Sequence, residues 1–276
     1  MNMDSLSNLS MDGKIAVVTG STQGLGEAIA NLFADRGAKG IVIAGRNAAN
    51  GARVKADLEK KGAKAVYVEA DLAKLDDARK IVAACDASFG RIDALVNAAA
   101  ITDRGTIWDT SPELYDRMFD INVKAPFFIM QDALHLMKRS KTSGTIVNIL
   151  SMSGHGGQDF ITAYCGSKGA LATLTRNIAY SVMRYHIRVN GLNIGWMDTP
   201  GEDRIMKTYH DAQSGWLNKA EAARPFGRLL KPAEVARTVA YLSSAESGLM
   251  TGSIIDFDQQ VLGTGNSIPE PPAAAW

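Results

Sequence analysis

Short apolar runs rich in β-branched residues recur along the chain, and each is separated from the next by a stretch long enough for a helix. Strands of this composition are buried on both faces, so the pattern indicates a parallel sheet between two layers of helices. The predicted strands are 14–19, 40–44, 65–69, 92–97, 145–150, 187–193 and 253–257. A helix to about residue 36 follows the first strand, and helical spacing is clearest over 76–89, 112–138, 163–185 and 232–243. The sequence therefore predicts an α/β fold with a doubly wound parallel sheet of about seven strands.

The chain of 276 residues shows neither an internal repeat nor an interdomain linker, so we expect a single domain over 13–263. Residues 1–12 are polar and suit a flexible arm, while the proline-containing tail 264–276 is either loose or docked on a neighbouring subunit. The segment 195–228 is long and only weakly periodic. A segment of this kind suits a lid over a substrate site.

Composition excludes several classes of protein. The chain carries 30 Lys and Arg against 29 Asp and Glu, a net charge of +1, so it lacks the basic excess of a nucleic-acid-binding protein. Its two cysteines and four scattered histidines form neither a disulfide framework nor a metal-binding motif. No stretch reaches the roughly 18 apolar residues of a membrane helix, and the first residues lack the order of a secretory signal. We expect a cytoplasmic protein that binds no metal, nucleic acid or membrane.

The first predicted strand runs into a glycine-rich turn, Thr19-Gly20-Ser21-Thr22-Gln23-Gly24-Leu25-Gly26, which opens a helix. Glycines at such a turn let backbone N–H groups approach a pyrophosphate, and the helix N-terminus favours its negative charge. The spacing differs from G-x-G-x-x-G, so the turn is a variant dinucleotide-binding loop in a Rossmann-type domain with helices on both faces. We assign these residues to cofactor binding: Gly20, Ser21, Thr22, Gly24, Leu25 and Gly26.

A second constellation comprises Ser151, Tyr164 and Lys168. Tyr164 and Lys168 are four residues apart, so on a helix they lie on one face. An ammonium group near a phenol favours the phenolate, which predicts a lowered pKa for Tyr164 and a role as general acid/base. Ser151 follows the fifth predicted strand, where its hydroxyl can hold a substrate oxygen.

These residues resemble the short-chain dehydrogenases/reductases, in their single-domain branch, over about 9–263. The glycine motif matches 19–26, and Tyr164-Cys165-Gly166-Ser167-Lys168 matches the family's Y-x-x-x-K, thirteen residues after the matching Ser151. Three further motifs correspond to Asp71-Leu72, which contacts adenine, to Asn97-Ala98-Ala99-Ala100, and to the catalytic Asn122.

The resemblance implies a nicotinamide-dependent oxidoreductase in which Tyr164 is the acid/base. Lys168 would lower its pKa and bind the nicotinamide ribose, Ser151 would orient the reacting oxygen, and Asn122 would hold a water in a proton relay. The same resemblance assigns further cofactor contacts to Asn97, Ala98, Ile194 and Thr199, beside Tyr164 and Lys168. It also implies a homodimer or homotetramer, with a subunit interface on the helix around 114–136.

Several positions depart from the family pattern. Ala98 and Ala100 stand where an Asn and a Gly are usual, and Gly195 follows Ile194 rather than a proline. Proline fixes the backbone, so its loss predicts a differently set lid. The usual V-D-G-G near the C-terminus is here 257–260, Phe-Asp-Gln-Gln.

The end of the second strand predicts NADP as the cofactor, with NAD as the alternative. An NAD-selective member usually places an acidic residue there to hold the ribose 2′-hydroxyl, and this chain has Gly45. Arg46 follows with a fork suited to the 2′-phosphate, and Asn47 can add a hydrogen bond.

The sequence points to a small-molecule substrate without naming it. Besides Ser151 and Tyr164, His155 and Trp196 are candidate substrate contacts. A lid that mixes acidic and basic residues favours a secondary alcohol of a small polyol, sugar or cyclic alcohol and its ketone. Two alternatives stay open: a 3-oxoacyl-thioester reductase of lipid synthesis and a catalytically idle dinucleotide-binding protein.

Overall fold

A seven-stranded, fully parallel sheet forms the centre of the computed structural model, which describes residues 10–262. The strand order is β3-β2-β1-β4-β5-β6-β7. The strands are β1 Ile15–Thr19, β2 Gly40–Gly45, β3 Lys64–Glu69, β4 Ala94–Asn97, β5 Thr145–Ser151, β6 Arg188–Ile194 and β7 Ile254–Phe257. The order reverses between β1 and β4, and at such a switch point two neighbouring crossovers leave a crevice at the carboxyl ends of the strands.

Helices cover both faces of the sheet. They are α1 Gly24–Asp35, α2 Ala48–Lys60, α3 Leu75–Phe89, α4 Pro112–Phe119, α5 Ala125–Arg139, α6 Thr162–Val182, α7 Pro200–Tyr209, α8 Trp216–Ala222 and α9 Pro232–Ser243. Buried side chains of α1, α2 and α9 form the core on one face, and those of α3, α5 and α6 form the core on the other. These two cores confirm the predicted doubly wound α/β fold.

The strands are apolar throughout because both of their faces are covered. All five residues of β1 and all seven of β5 are buried. Alternate residues of one strand enter different cores: Val17 packs with α3 and α5, while Val18 packs with α1 and α9. Burial of this apolar surface is the main term that drives folding.

The long helix predicted over 112–138 is interrupted by a π-helical turn, Asp120–Lys124, between α4 and α5. Pro126 supplies the physical reason, because a proline has no N–H to donate to the carbonyl of Asn122 four residues earlier. The amide of Ala125 bonds instead to the carbonyl of Asp120, five residues back. The interruption sets Asn122 in a widened turn rather than in a regular helix.

The domain begins earlier than predicted. Met11 is fully buried in the core beneath α1, and its N–H donates to the carbonyl of Arg36 at 2.8 Å. Residues 10–12, predicted as part of a flexible arm, therefore belong to the folded domain because Met11 adds a large apolar side chain to that core. The rest of the predicted arm, 1–9, and the tail 264–276 lie outside the described residues.

The segment 195–228, predicted as a weakly periodic lid, contains α7 and α8. Its periodicity is weak because Ile205 is the buried residue of α7 and α8 buries none. A bridge between Met197 and Leu230 closes the base of the segment. Across 10–262, no helix combines the length and hydropathy that crossing a bilayer requires.

Candidate active site

A cleft opens at the carboxyl ends of β1, β2 and β4, where the strand order reverses. Six predicted cofactor residues line it: Gly20, Thr22, Arg46, Asp71, Leu72 and Ala98. Ligands of doubly wound sheets bind at such switch points. The structure therefore brings the sequence motifs of three separate strands to one crevice.

The glycine turn has no room for side chains. Gly20 has a φ of +64°, and a Cβ there would lie 2.7 Å from the Cα of Ala99. A Cβ on Gly26 would lie 2.4 Å from the carbonyl oxygen of Gly20. Gln23 precedes α1 without a side-chain cap, so the first amides of α1 keep their capacity to bind an anion.

The side chains of two predicted cofactor residues of the turn, Ser21 and Leu25, point into the protein. The Ser21 hydroxyl is fully buried, donates to the carbonyl of Val18 at 2.6 Å and accepts from the amide of Ala44 at 3.0 Å. Leu25 packs into the core of the α1 face. Their side chains therefore join β1 to β2 and α1 to the sheet, because they point inward from the turn.

The end of β2 leaves a site for a 2′-phosphate. A Cβ on Gly45 would lie 2.6 Å from the Oγ1 of Thr22, so an acidic side chain cannot enter there without displacing Thr22. Arg46 is exposed at the cleft and has no ion-pair partner within 10–262. Asn47 caps α2 by accepting from the amide of Asn50 at 2.9 Å, which occupies its side-chain oxygen.

The segment after β4 is fixed by Thr19. Its Oγ1 accepts hydrogen bonds from the amides of Ala98 and Ala99 at 3.1 and 3.2 Å. Asn97 donates to the Oδ1 of Asn148 at 2.9 Å, while its own buried Oδ1 accepts no hydrogen bond from the described part of the chain. Because an orphaned buried acceptor is unfavourable, this oxygen suits a donor from a bound group or water.

Ser151, Tyr164 and Lys168 lie together and are almost enclosed. Ser151 ends β5, and Tyr164 and Lys168 stand one turn apart on α6, with 9% and 2% of their surfaces exposed. The Lys168 Nζ donates to the carbonyl of Ile149 at 2.8 Å and lies 5.7 Å from the centre of the Tyr164 ring. The predicted face of α6 is thus turned toward the end of β5.

Burial dominates the titration of this pair. It raises the pKa of Tyr164 to about 12, an effect that the hydrogen bond with Ser151 opposes. Smaller contributions to the pKa of Tyr164 come from Glu202, which raises it, and Arg104, which lowers it. Burial lowers the pKa of Lys168 to about 8. The lowered pKa predicted for Tyr164 is therefore wrong for this structure, since removing the phenol from water outweighs any effect of the lysine.

Asn122 fixes the loop after β4. Its Oδ1 accepts from the amide of Ile101 and its Nδ2 donates to the carbonyl of Ile101, both at 3.0 Å. The Nδ2 also lies 3.1 Å from the hydroxyl of Ser167, which follows Tyr164 on α6. The side-chain amide is thus engaged with protein groups, and Pro126 has no N–H to donate to the main-chain carbonyl of Asn122.

The remaining predicted contacts separate into two groups. Thr199 caps α7 by accepting from the amide of Glu202, and its Cβ lies 3.8 Å from the position of a Cβ on Gly24, so it faces the glycine turn. His155 points elsewhere: its Nε2 lies 2.9 Å from the Nδ2 of Asn193 and 3.4 Å from the Oδ1 of Asp256. These partners draw His155 toward β6 and β7.

Ile194, the last predicted cofactor residue, ends β6 and packs against the core on the α1 face.

Among the described residues, no group of three His, Cys, Asp or Glu side chains is arranged to hold a metal ion.

Trp196 lies near the start of the lid, where it contacts both aromatic and charged side chains. Its indole N–H donates to the Oε1 of Glu202 at 2.8 Å, and its ring stacks on Trp216 at 6.1 Å. The guanidinium of Arg224 lies over the ring of Trp196, 5.3 Å from its centre. Trp196 therefore ties the start of the lid to both α7 and α8.

Two charged residues that the sequence analysis did not single out stand beside Tyr164. Arg104 follows β4, Glu202 lies in the first turn of α7, and Nη2 of the first is 3.6 Å from Oε1 of the second. Glu202 is one of the acidic residues in the mixed charge of the lid. No sequence pattern marks Arg104, because its partners lie far along the chain.

Comparison with known proteins agrees with this geometry. Residues 20–259 match the family model described as enoyl-(acyl carrier protein) reductase. Galactitol 2-dehydrogenase of Agrobacterium fabrum is 34% identical over 255 residues, which cover 90% of this chain and 97% of that protein.

Two solved structures show the same fold. L-sorbose reductase of Gluconobacter frateurii, complexed with NADPH and L-sorbose, has a TM-score of 0.85 and 28% identity over 93% of this chain and 99% of its own. A 3-oxoacyl (acyl-carrier-protein) reductase from Agrobacterium tumefaciens C58 with NADP bound has a TM-score of 0.82 and 25% identity, over 92% and 96%. Taken with the family model and the enclosed Ser151, Tyr164 and Lys168, these matches show that the chain belongs to the short-chain dehydrogenase/reductase family of oxidoreductases.

Proposed function

We propose that the protein is an NADP(H)-dependent oxidoreductase that interconverts a secondary alcohol of a small polyol or sugar and the corresponding ketone. The observation that carries the proposal is the enclosed group of Ser151, Tyr164 and Lys168, where the end of β5 meets α6. Relatives named for galactitol and L-sorbose support this substrate class. NADPH or NADP in two solved relatives supports the cofactor.

The cleft fits a phosphorylated dinucleotide. Uncapped amides at the start of α1 suit the pyrophosphate, and the unpaired guanidinium of Arg46 beside Gly45 suits a 2′-phosphate. Asp71 and Leu72 line the part of the cleft assigned to adenine. When bound, the nicotinamide supplies or accepts the hydride.

The protein supplies the proton. With a pKa raised to about 12, Tyr164 is protonated at neutral pH and can donate its proton to the oxygen of a carbonyl as that oxygen becomes an alcohol. Ser151 holds the same oxygen with its hydroxyl. Lys168 stands behind Tyr164, and we assign the main-chain carbonyl of Asn122 to a water that resupplies the proton.

A substrate screen tests the proposal. Reduction of ketoses and cyclic ketones is followed by loss of reduced cofactor, with NADPH and NADH compared at equal concentration. We expect faster turnover with NADPH and a fall of about 10²-fold or more for Tyr164→Phe, with cofactor affinity retained. The exposed Tyr180→Phe on α6 is the control. Near-normal turnover by Tyr164→Phe would contradict the mechanism, and cofactor binding without any turnover would support the idle-protein alternative.

A second candidate, reduction of a 3-oxoacyl thioester, is favoured by the description of the matching family model and by one solved relative. Acetoacetyl thioester belongs in the same screen for that reason. The lid argues against this candidate, since it presents acidic residues such as Asp203 and Asp211 beside basic ones rather than a basic surface for an acidic carrier protein.

A further inference from the structure

We propose that Arg104 and Glu202 recognise a hydroxyl group next to the reacting carbon, so that the substrate is a vicinally hydroxylated polyol or sugar. The inference rests on the proposed function and narrows it. It assigns substrate specificity to two neighbouring residues, one in the loop after β4 and one on α7. It also disfavours monofunctional cyclic alcohols and acyl thioesters as substrates.

The two charges are close but do not satisfy each other. The 3.6 Å between Nη2 of Arg104 and Oε1 of Glu202 is longer than a hydrogen bond. Their side chains are only 14% and 17% exposed, so water reaches them poorly. A charge removed from water is unfavourable unless hydrogen bonds replace those it loses.

The other contacts of Arg104 hold it rigidly without using Nη2. Its Nη1 donates to the carbonyl of Thr102 at 2.9 Å, and its Nε donates to the Nε2 of His210 at 3.0 Å. The ring of Phe160 lies 5.4 Å below the guanidinium. A guanidinium fixed on three sides presents its last nitrogen in one direction.

Glu202 is held in the same way. Its Oε1 accepts from the indole of Trp196, while its Oε2 accepts no hydrogen bond from residues 10–262. The site thus offers one cationic donor, Nη2, and one anionic acceptor, Oε2. Gly105, next to Arg104, forms a bridge with Ile161 just before α6, and the ring of Phe160 contacts Arg104, so the pair lies beside the first turn of α6, where Tyr164 stands.

A secondary hydroxyl matches this pair, because its oxygen can accept from Nη2 while its proton is donated to Oε2. An apolar group in the same place would cover both charges and return no hydrogen bond. Sites built to hydrogen-bond a substrate hydroxyl reject analogues that lack it. The geometry therefore favours substrates that carry a hydroxyl beside the reacting carbon.

The test compares kcat/KM for a polyol with that for a monofunctional alcohol, using sorbitol, galactitol and ribitol against cyclohexanol. In the variants Glu202→Gln and Arg104→Met, we expect the ratio of the best polyol to cyclohexanol to fall about 10- to 100-fold, the scale of one hydrogen bond to a charged group. The fall should arise mainly in KM for the polyol. The exposed Glu246→Gln and Arg204→Met serve as matched controls that keep the ratio.

An equal loss for both alcohols would overturn the inference, since it would mean that the pair only holds the lid. Calorimetric titration of the wild type with the same polyols in the presence of NADP separates the two proposals. If the wild type binds a polyol without turning it over, and both variants bind that polyol more weakly, the proposed function is contradicted and the recognition pair is supported. A wild type that binds or oxidises cyclohexanol as well as every polyol would also overturn it.

Discussion

Burial gives Tyr164 and Lys168 opposite titrations, raising the pKa of the phenol to about 12 and lowering that of the ammonium to about 8. Both shifts favour the neutral form, as desolvation always does. Near pH 8 Lys168 loses its charge, which removes a cation that favours the phenolate of Tyr164. Because the pKa of Tyr164 lies near 12, the deprotonated fraction of its phenol nevertheless grows as the pH rises. Under the proposed mechanism, the oxidation of an alcohol should therefore gain rate with rising pH, while the reduction of a ketone, which needs the protonated phenol, should lose rate only as the pH approaches 12.

The lowered pKa of Lys168 also makes a prediction about folding. The folded pKa of about 8 lies below the ordinary lysine pKa of 10.5, so between these values the unfolded chain binds the extra proton and stability rises with pH. We expect the free energy of unfolding of the wild type, relative to Lys168→Met, to rise by roughly 2–3 kcal/mol from pH 7 to 10. Denaturant titrations at several pH values measure the difference.

The exposed Lys39→Met is the control for this experiment and should show no such pH dependence relative to the wild type. Lys168→Met also loses the hydrogen bond from Nζ to the carbonyl of Ile149, which changes its free energy of unfolding by the same amount at every pH. The pH dependence of the difference therefore reports the titration of Lys168. A difference that stays constant with pH would show that Lys168 titrates normally in the folded protein.

Sequence spacing predicts residues that act within one element better than residues that meet across the fold. Tyr164 and Lys168 share a helix face, so their separation of four residues was sufficient. Arg104 and Glu202 meet only after β4 and α7 have been placed, and nothing in the sequence near either residue marks the other. The contacts of His155 likewise come from residues far along the chain, on β6 and β7.

Polar contacts hold both ends of α7 against the loop after β4. Arg104 contacts Glu202 in the first turn and His210 just beyond the last, and the Tyr209 hydroxyl donates to the Oδ1 of Asp103 at 3.0 Å. Few apolar contacts support the helix otherwise, since Ile205 is its buried residue. Segments held mainly by exposed polar contacts open at low free-energy cost.

Removing one of these polar contacts should make the lid open more often. We expect Tyr209→Phe to speed limited proteolysis within 210–215, because that variant loses the hydrogen bond to Asp103 while keeping the ring. Cofactor together with a polyol should slow cleavage in both proteins. Tyr180→Phe, exposed on α6, is the matched control. Equal cleavage rates in Tyr209→Phe and wild type, or cleavage that ligands leave unchanged, would contradict a mobile lid.

The sequence predicted the strands within one or two residues but not the helices of the lid. Strands that are buried on both faces show continuous apolar runs, which are easy to recognise. α7 and α8 bury almost nothing, so no run of buried apolar residues marks them in the sequence. The interruption of the long helix at Asp120–Lys124 was equally hidden, although Pro126 indicates it once the helix is placed.

At the scale of the whole molecule, α5 and α6 leave a groove that is lined largely by apolar side chains. Its lining includes Phe127, Leu134, Ile178, Val182 and Tyr185. These residues are half-buried or exposed along the α5–α6 face, apart from the buried Val182. Uncovered apolar surface of this kind is typical of protein interfaces. We propose that a second copy of the chain covers it, in a homodimer or homotetramer, as expected from the family resemblance.

Ile178→Glu tests this assembly. Ile178 lines the groove and is half-buried, so a carboxylate there keeps its contact with water in the free subunit. It would have to leave water when two copies meet, which is unfavourable. We expect sedimentation velocity at micromolar concentration to show a dimer or tetramer for the wild type and a smaller species for Ile178→Glu, with unchanged far-UV circular dichroism. Ile107→Glu, at an exposed isoleucine in the loop after β4, should keep the wild-type assembly. A monomeric wild type would exclude the assembly, and an Ile178→Glu variant that assembles normally would place the interface elsewhere.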